Sequence, residues 1–145
     1  MITVRPATLC DLPLLLSAEA ACFSDPFSEE AIRGFSRNSW GLSLIAEEEG
    51  EPLGYLLATL IDGEGEVARV AALPERRRRG AAEALLRHLL SLSVSCYLEV
   101  RRSTVSARAR YEKLGFVAVG ERKGYYKSPA EDAVLYERTE KRTEK

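Results

Sequence analysis

Between Gly65 and Leu92 the chain reads GEVARVAALPERRRRGAAEALLRHLLSL. An apolar strand pattern, Gly65 to Leu73, is stopped by Pro74. Arginines 76 to 79 and Gly80 follow, and a helical pattern then runs from Gly80 to Leu92. Leu85, Leu89 and Leu92 fall on one face of that helix, and Glu83 with Arg87 makes an i,i+4 pair on another. A strand that feeds a helix through so short a basic turn commits the chain to layered helix-on-sheet packing. The turn is also chemically odd. Cations at a helix N-terminus oppose its dipole by about 0.3–1 kcal/mol each, so helix stability gives no reason for four of them. The unpaired N–H groups of a first helical turn favour an anion. Gly80 lets a group approach the backbone, and Ala81 and Ala82 leave the entrance unobstructed. Arginine adds charge-assisted bonds to phosphate oxygens. A pyrophosphate suits this corner, although the lysine-bearing Walker A pattern is absent.

The remaining pattern completes an α/β domain. Met1 to Arg5 reads as a strand with Ile2 and Val4 on one face. Thr8 to Phe23 reads as an amphipathic helix with Thr8 and Asp11 as a capping box. Ser28, Glu29 and Glu30 start a second, shorter helix. Two strands flank Gly50, Cys96 to Val100 is an alternating strand, and Thr104 to Leu114 is a helix stopped by Gly115. Two last strands surround the Ser128-Pro129 turn. The expectation is one domain over residues 1–139, with a mixed, mostly antiparallel sheet of about six or seven strands and about four helices. The charged residues 140–145 are expected to form a disordered tail.

Composition excludes several classes. A net charge of −1 gives no global field toward nucleic acid or anionic lipid. No apolar run has the length of a membrane helix, and no signal-peptide pattern opens the chain. Three scattered cysteines do not make a disulfide framework, and one histidine without paired cysteines does not make a zinc site. A reduced, cytoplasmic protein is expected. Cys96 reads as core, Cys22 as a small buried hydrophobe beside a loop, His88 as structural or surface, and Glu47 to Glu49 as a solvated hairpin turn.

The segment RRRGAA, Arg77 to Ala82, resembles the Arg/Gln-x-x-Gly-x-Gly/Ala signature of the GNAT N-acetyltransferases. YLEVRRSTVSARARYEKLGF, Tyr97 to Phe116, resembles the strand–helix segment that follows in that superfamily. LEVR, YEKLGF, KGYY, EDAVLY and, upstream, CFSDPFSEEAI resemble the branch that acetylates the α-amino group of ribosomal-protein alanine. The similarity spans nearly the whole chain. Thr104 stands where that branch has asparagine, and Arg110 where it has an apolar residue.

This resemblance implies acetyl-CoA as cofactor and a protein or peptide N-terminus as acceptor, with a ribosomal protein as a candidate source. Val70, Ala71 and Ala72 would meet the pantetheine arm, and a backbone N–H there would stabilise developing oxyanion charge. Arg77, Arg78, Arg79, Gly80, Ala81 and Ala82 would hold the pyrophosphate, and Thr104 would take asparagine's place at the cofactor arm. Glu99 would be the general base and Tyr111 the general acid, while Phe27, Tyr125 and Tyr126 would border the acceptor groove. The chemistry fits the residue types. An α-amino group with a pKa of about 7.7–8.0 must shed a proton, and a departing thiolate must gain one. Spacing alone reads differently: Tyr111 shares a helical face with Thr104, Ala107 and Leu114 and so reads as core, while Glu99 alternates outward from Leu98 and Val100. Adjacency places Tyr125 and Tyr126 on opposite faces. Three alternatives stay open: an acetyltransferase for a small amine or a lysine side chain, a non-catalytic module that binds coenzyme A or a nucleotide, and nucleic-acid binding through the arginines.

Overall fold

The computed structural model describes residues 1–127 and 129–139. The expected tail, residues 140–145, and Ser128 of the expected turn lie outside the described residues. Among the described residues, seven strands form one sheet: β1 (Ile2–Pro6), β2 (Gly41–Glu48), β3 (Glu51–Ile61), β4 (Glu64–Ala72), β5 (Ser95–Arg101), β6 (Val117–Lys127) and β7 (Ala130–Thr139). The described residues also form four α-helices: α1 (Leu12–Cys22), α2 (Glu29–Arg37), α3 (Ala81–Leu92) and α4 (Val105–Lys113). The sheet order is β1-β2-β3-β4-β5-β7-β6, antiparallel throughout except for β4 beside β5. The mixed, mostly antiparallel sheet with four helices is the one expected.

Each face of the sheet buries its own core, because strand residues alternate between faces. On one face Leu44, Ala46, Leu56 and Ala58 pack with Leu85, Leu86 and Leu89 of α3 and with Tyr111, Leu114 and Phe116 at and after α4. On the other, Ile45, Tyr55 and Leu57 pack with Leu15 and Ala18 of α1 and Ile32 of α2. Gly54 of β3 allows α3 to sit low on the sheet. A Cβ there would lie 3.1 Å from Ala81 Cβ and 2.5 Å from the Ala71 carbonyl oxygen.

Two local expectations need correction. The helix expected from Thr8 is broken: Thr8 and Asp11 do form a capping box, but it caps a one-turn 3-10 segment, Leu9–Asp11, and α1 begins at Leu12 with Pro13 in its first turn. Leu92 does not share the buried face of Leu85 and Leu89. It is 46% exposed, because α3 ends there and the burying face is instead Ala81, Ala82, Leu85, Leu86 and Leu89. Cys96 is fully buried as expected, and burial pushes its thiol up to about 12.

Candidate active site

The parallel pair β4–β5 is hydrogen-bonded only from Glu64–Ser95 to Glu66–Tyr97. Beyond that point the strands diverge, so the β4 edge from Val67 to Ala72, including Val70, Ala71 and Ala72, has no β5 partner. Backbone polar groups left open in this way favour a ligand that can replace a strand. The register of β3 on β4 also slips by one residue between Leu57 and Ala58, leaving Ala68 as the extra residue of a bulge.

At the end of β4 the chain passes Pro74 and the arginines and enters α3. Arg78 has φ 66° and Gly80 φ 91°, so the backbone coils through two left-handed positions immediately before the helix. Glycine takes that conformation without a Cβ clash. No side chain caps α3, and its first helical bond runs from Ala84 N–H to the Gly80 carbonyl. The amides of Ala81, Ala82 and Glu83 therefore lack a protein partner among the described residues. The four arginines divide. Arg76 pairs with Glu51 at 2.5 Å and Arg79 with Glu48 at 3.0 Å, both on the β2–β3 hairpin. Arg77 and Arg78 have no ion pair among the described residues. Half of the cluster thus has a structural partner that the sequence did not reveal, and the Glu47–Glu49 turn is more than a solvated loop, because Glu47 also pairs with Arg5 at 2.7 Å.

Glu99 and Tyr111 lie on opposite faces of the sheet. Leu98 and Val100 join the core beneath α3 and α4, so Glu99 between them faces the opposite side, that of α1 and α2. A cleft of about 200 Å³ adjoins it, lined by Glu66, Glu99 and Arg122 and also by Leu98 and Tyr136 of the α3/α4-side core. A larger hollow of about 320 Å³, lined by Arg87, Ser93 and Arg138, lies at the far end of α3, away from this chemistry. Arg122 Nε is 2.9 Å from Glu99 Oε2. Glu99 is also the main reason that the pKa of the neighbouring Tyr125 phenol is raised.

Tyr111 lies on the α3/α4 face with its ring buried edge-on against Phe116 at 5.9 Å and near Tyr136 at 6.1 Å. Burial raises its pKa, so the phenol keeps its proton through the neutral range. Its hydroxyl makes no hydrogen bond among the described residues. The Tyr126 phenol is pushed up to about 12, chiefly by burial and then by Glu99, with a smaller contribution from Tyr111.

Tyr125 and Tyr126 do not point to opposite faces as adjacency implied. Their rings meet edge to face at 5.1 Å. The β6–β7 register slips between Arg122 and Tyr126, and Gly124 has φ 62°, so the two-residue alternation is broken just before the pair. Phe27 sits between α1 and α2 and stacks on Phe35 at 6.0 Å. Thr104 is the residue preceding α4. Its hydroxyl caps nothing, although its N–H donates to the Arg101 carbonyl.

Sequence reasoning passed over Arg122, Glu19 and Arg69. The last two had a legible signal. Glu19 is the one charge within LPLLLSAEAAC, and Arg69 is the one charge within VARVAAL. An isolated charge in an otherwise apolar element is rarely buried without a partner.

An open β4 edge leading to an unpartnered, arginine-flanked helix start suits a long phosphorylated ligand. Residues 12–116 match the Acetyltransferase (GNAT) family, and the chain belongs to that family. It is an acetyl-CoA-dependent N-acetyltransferase. The chain is 29% identical over 142 residues to the ribosomal protein bS18-alanine N-acetyltransferase of Salmonella typhimurium, covering 93% of this chain and 95% of the relative. The crystal structure of the corresponding Escherichia coli enzyme superposes with a TM-score of 0.89 at 26% identity, covering 100% of this chain and 97% of that one. Arabidopsis thaliana NAA60 in complex with acetyl-CoA shares the fold, with a TM-score of 0.86 at 18% identity over 97% of this chain and 100% of that one. Among the described residues no helix is long and apolar enough to cross a membrane.

Proposed function

We propose that this enzyme acetylates the N-terminal α-amino group of a protein, with a ribosomal protein as the acceptor class. The observation that carries this reading is the position of Glu99, which lines the cleft where β4 and β5 diverge. Relatives that span nearly the whole chain and are named for this acceptor support it.

Bound acetyl-CoA supplies an acyl group activated as a thioester. The residues present fit it. The free amides of Ala81 and Ala82, with Gly80 and the side chains of Arg77 and Arg78, would take the pyrophosphate at a helix N-terminus, while Arg79 would contribute its backbone and keep its side chain on Glu48. Val70, Ala71 and Ala72 offer an open backbone edge to the pantetheine arm, and the uncommitted Thr104 hydroxyl offers one further polar contact. Phe27, Tyr125 and Tyr126 border the groove through which the peptide N-terminus enters. Glu99 accepts the proton that the amine must lose, directly or through water. Tyr111, kept protonated by burial, donates a proton on the opposite side. Together such groups typically contribute about 10²–10⁴-fold to rate, and the alignment of the two substrates adds to that.

A panel of acceptors tests the reading: a short peptide that begins with alanine, the same peptide with a blocked N-terminus, a peptide whose only free amine is a lysine side chain, and a polyamine. Mass spectrometry after incubation with acetyl-CoA should find acetyl on the first residue of the free peptide alone. Preferred modification of the lysine peptide or the polyamine would reassign the acceptor.

A further inference from the structure

Behind the acceptor side of the opening lies a buried polar cluster to which the reading above gives no part. Glu19 of α1 is fully buried. Its carboxylate accepts from the Tyr55 hydroxyl at 2.7 Å, from the Phe27 backbone N–H at 2.7 Å and from Arg69 Nε at 3.1 Å. Arg69 Nη2 donates to the Asp25 carbonyl at 2.6 Å. Its guanidinium is sandwiched between the Phe23 and Phe27 rings, 4.1 and 4.0 Å from their centroids. Burial, followed by the bond to Glu19, raises the pKa of Tyr55, which keeps its hydroxyl as a donor.

These contacts all converge on one stretch. Phe23, Asp25 and Phe27 form the connection between α1 and α2, which has no ladder or helix of its own to order it. The cluster supplies that order from below: one bond to a backbone N–H, one to a backbone carbonyl, and two stacked rings. Arg69 also stands directly before Val70 to Ala72, so the same side chain is anchored in the strand assigned to the cofactor arm. We infer that Glu19, Arg69 and Tyr55 form a positioning unit that fixes the Phe23–Phe27 segment as a preformed lip for the acceptor peptide, registered against the donor strand β4. The unit acts through Phe27 and touches neither reactant. A lip ordered in advance spares the acceptor the entropy of ordering it, so its loss falls on peptide binding more than on the chemical step.

The kinetic test rests on the α-amine reading, and a second measurement does not. Arg69→Lys keeps the charge but loses the planar fork and the stacking. Glu19→Gln keeps an oxygen for the Phe27 N–H, and Glu19→Ala keeps none. Tyr55→Phe removes one hydroxyl and carries the test if the charge variants do not fold. In Arg69→Lys the peptide KM should rise about tenfold or more with kcat changed by less than about threefold. The acetyl-CoA dissociation constant, from titration calorimetry, should stay within about twofold of the parent. Glu19→Gln should restore most of the peptide KM lost in Glu19→Ala. In the absence of any acceptor, hydrogen exchange at the Phe27 amide should accelerate in Glu19→Ala and Arg69→Lys while exchange in α1 and β4 is unchanged. An unaltered peptide KM in folded variants, or equal weakening of peptide and acetyl-CoA, overturns the inference. If the parent enzyme acetylates no peptide α-amine, the acceptor reading fails on its own, and unaccelerated exchange at Phe27 still overturns the lip.

Discussion

Arg122 Nε lies 2.9 Å from Glu99 Oε2, so the carboxylate assigned to the acceptor amine already has a cation beside it. The Arg122 side chain is 57% exposed, and exposed pairs of this kind contribute about 0–1 kcal/mol. An incoming amine therefore displaces it at small cost. Arg122→Gln should alter kcat/KM by less than about fivefold, whereas Glu99→Gln should lower kcat by about 10²-fold or more. Steady-state kinetics on both variants checks the contrast, and comparable losses would show that Arg122 has a larger part than a displaceable partner.

Tyr111→Phe removes a hydroxyl that has no hydrogen bond to lose among the described residues and leaves the ring contacts with Phe116 and Tyr136 in place. It should lower kcat by roughly 10-fold or more with the melting temperature essentially unchanged. A fall in Tm without a fall in kcat would mark a purely structural tyrosine.

The arginine run should divide by function along the line of its ion pairs. Arg77→Ala and Arg78→Ala should each weaken acetyl-CoA binding by roughly tenfold, the loss of one hydrogen bond to a charged group, without changing Tm. Arg76→Ala and Arg79→Ala break pairs with Glu51 and Glu48 and should cost about 1 kcal/mol of stability at most. Calorimetric titration and thermal melts of the four variants check this.

Gly54→Ala places a Cβ 2.5 Å from the Ala71 carbonyl, a backbone atom that cannot move without shifting β4. Overpacking of this kind costs about 1–3 kcal/mol, and the shift should weaken acetyl-CoA binding as well. Gly80→Ala has space, since its Cβ would meet nothing nearer than 3.6 Å, but φ 91° is unfavourable for alanine. It should cost about 1–2 kcal/mol. Chemical denaturation resolves the two.

Stability should fall at alkaline pH. Tyr55, Tyr111, Tyr125, Tyr126 and Tyr136 all have raised pKa values in the fold. A raised phenol contributes stability that is fully present below the unfolded value of about 10 and is lost as pH rises through the folded value. Melts between pH 8 and pH 11.5 should therefore show Tm constant at first and declining beyond about pH 10. At the acid end, Asp11 is held low chiefly by Arg5, and Glu83 by Arg87. These groups withdraw stability as pH falls below the usual carboxylate range.

Local signals carried most of the fold. Pro74, Gly80 and the α3 period were legible because strand, turn and helix each follow from neighbours in sequence. Leu92 is exposed although its spacing predicts the buried face, because period says nothing about where a helix runs out of sheet to cover. Tyr125 and Tyr126 depart from strict alternation because Gly124 and the β6 slip interrupt it just before them. The partners of Arg76, Arg79 and Glu99 were invisible for a different reason: each lies far along the chain, and register between distant strands brings it near. Glu19 and Arg69, 50 residues apart, could be marked as lone charges but not as a pair.

The central claim is that the opening between β4 and β5, with the start of α3, holds acetyl-CoA so that its thioester lies between Glu99 and Tyr111. A crystal structure with acetyl-CoA and an alanine-initiated peptide tests it most directly. The account predicts diphosphate oxygens within hydrogen-bonding distance of the Ala81 and Ala82 amides, and the peptide nitrogen on the Glu99 side of the thioester. A diphosphate bound elsewhere, or an acceptor nitrogen that reaches the thioester from the far side of the sheet, would contradict it.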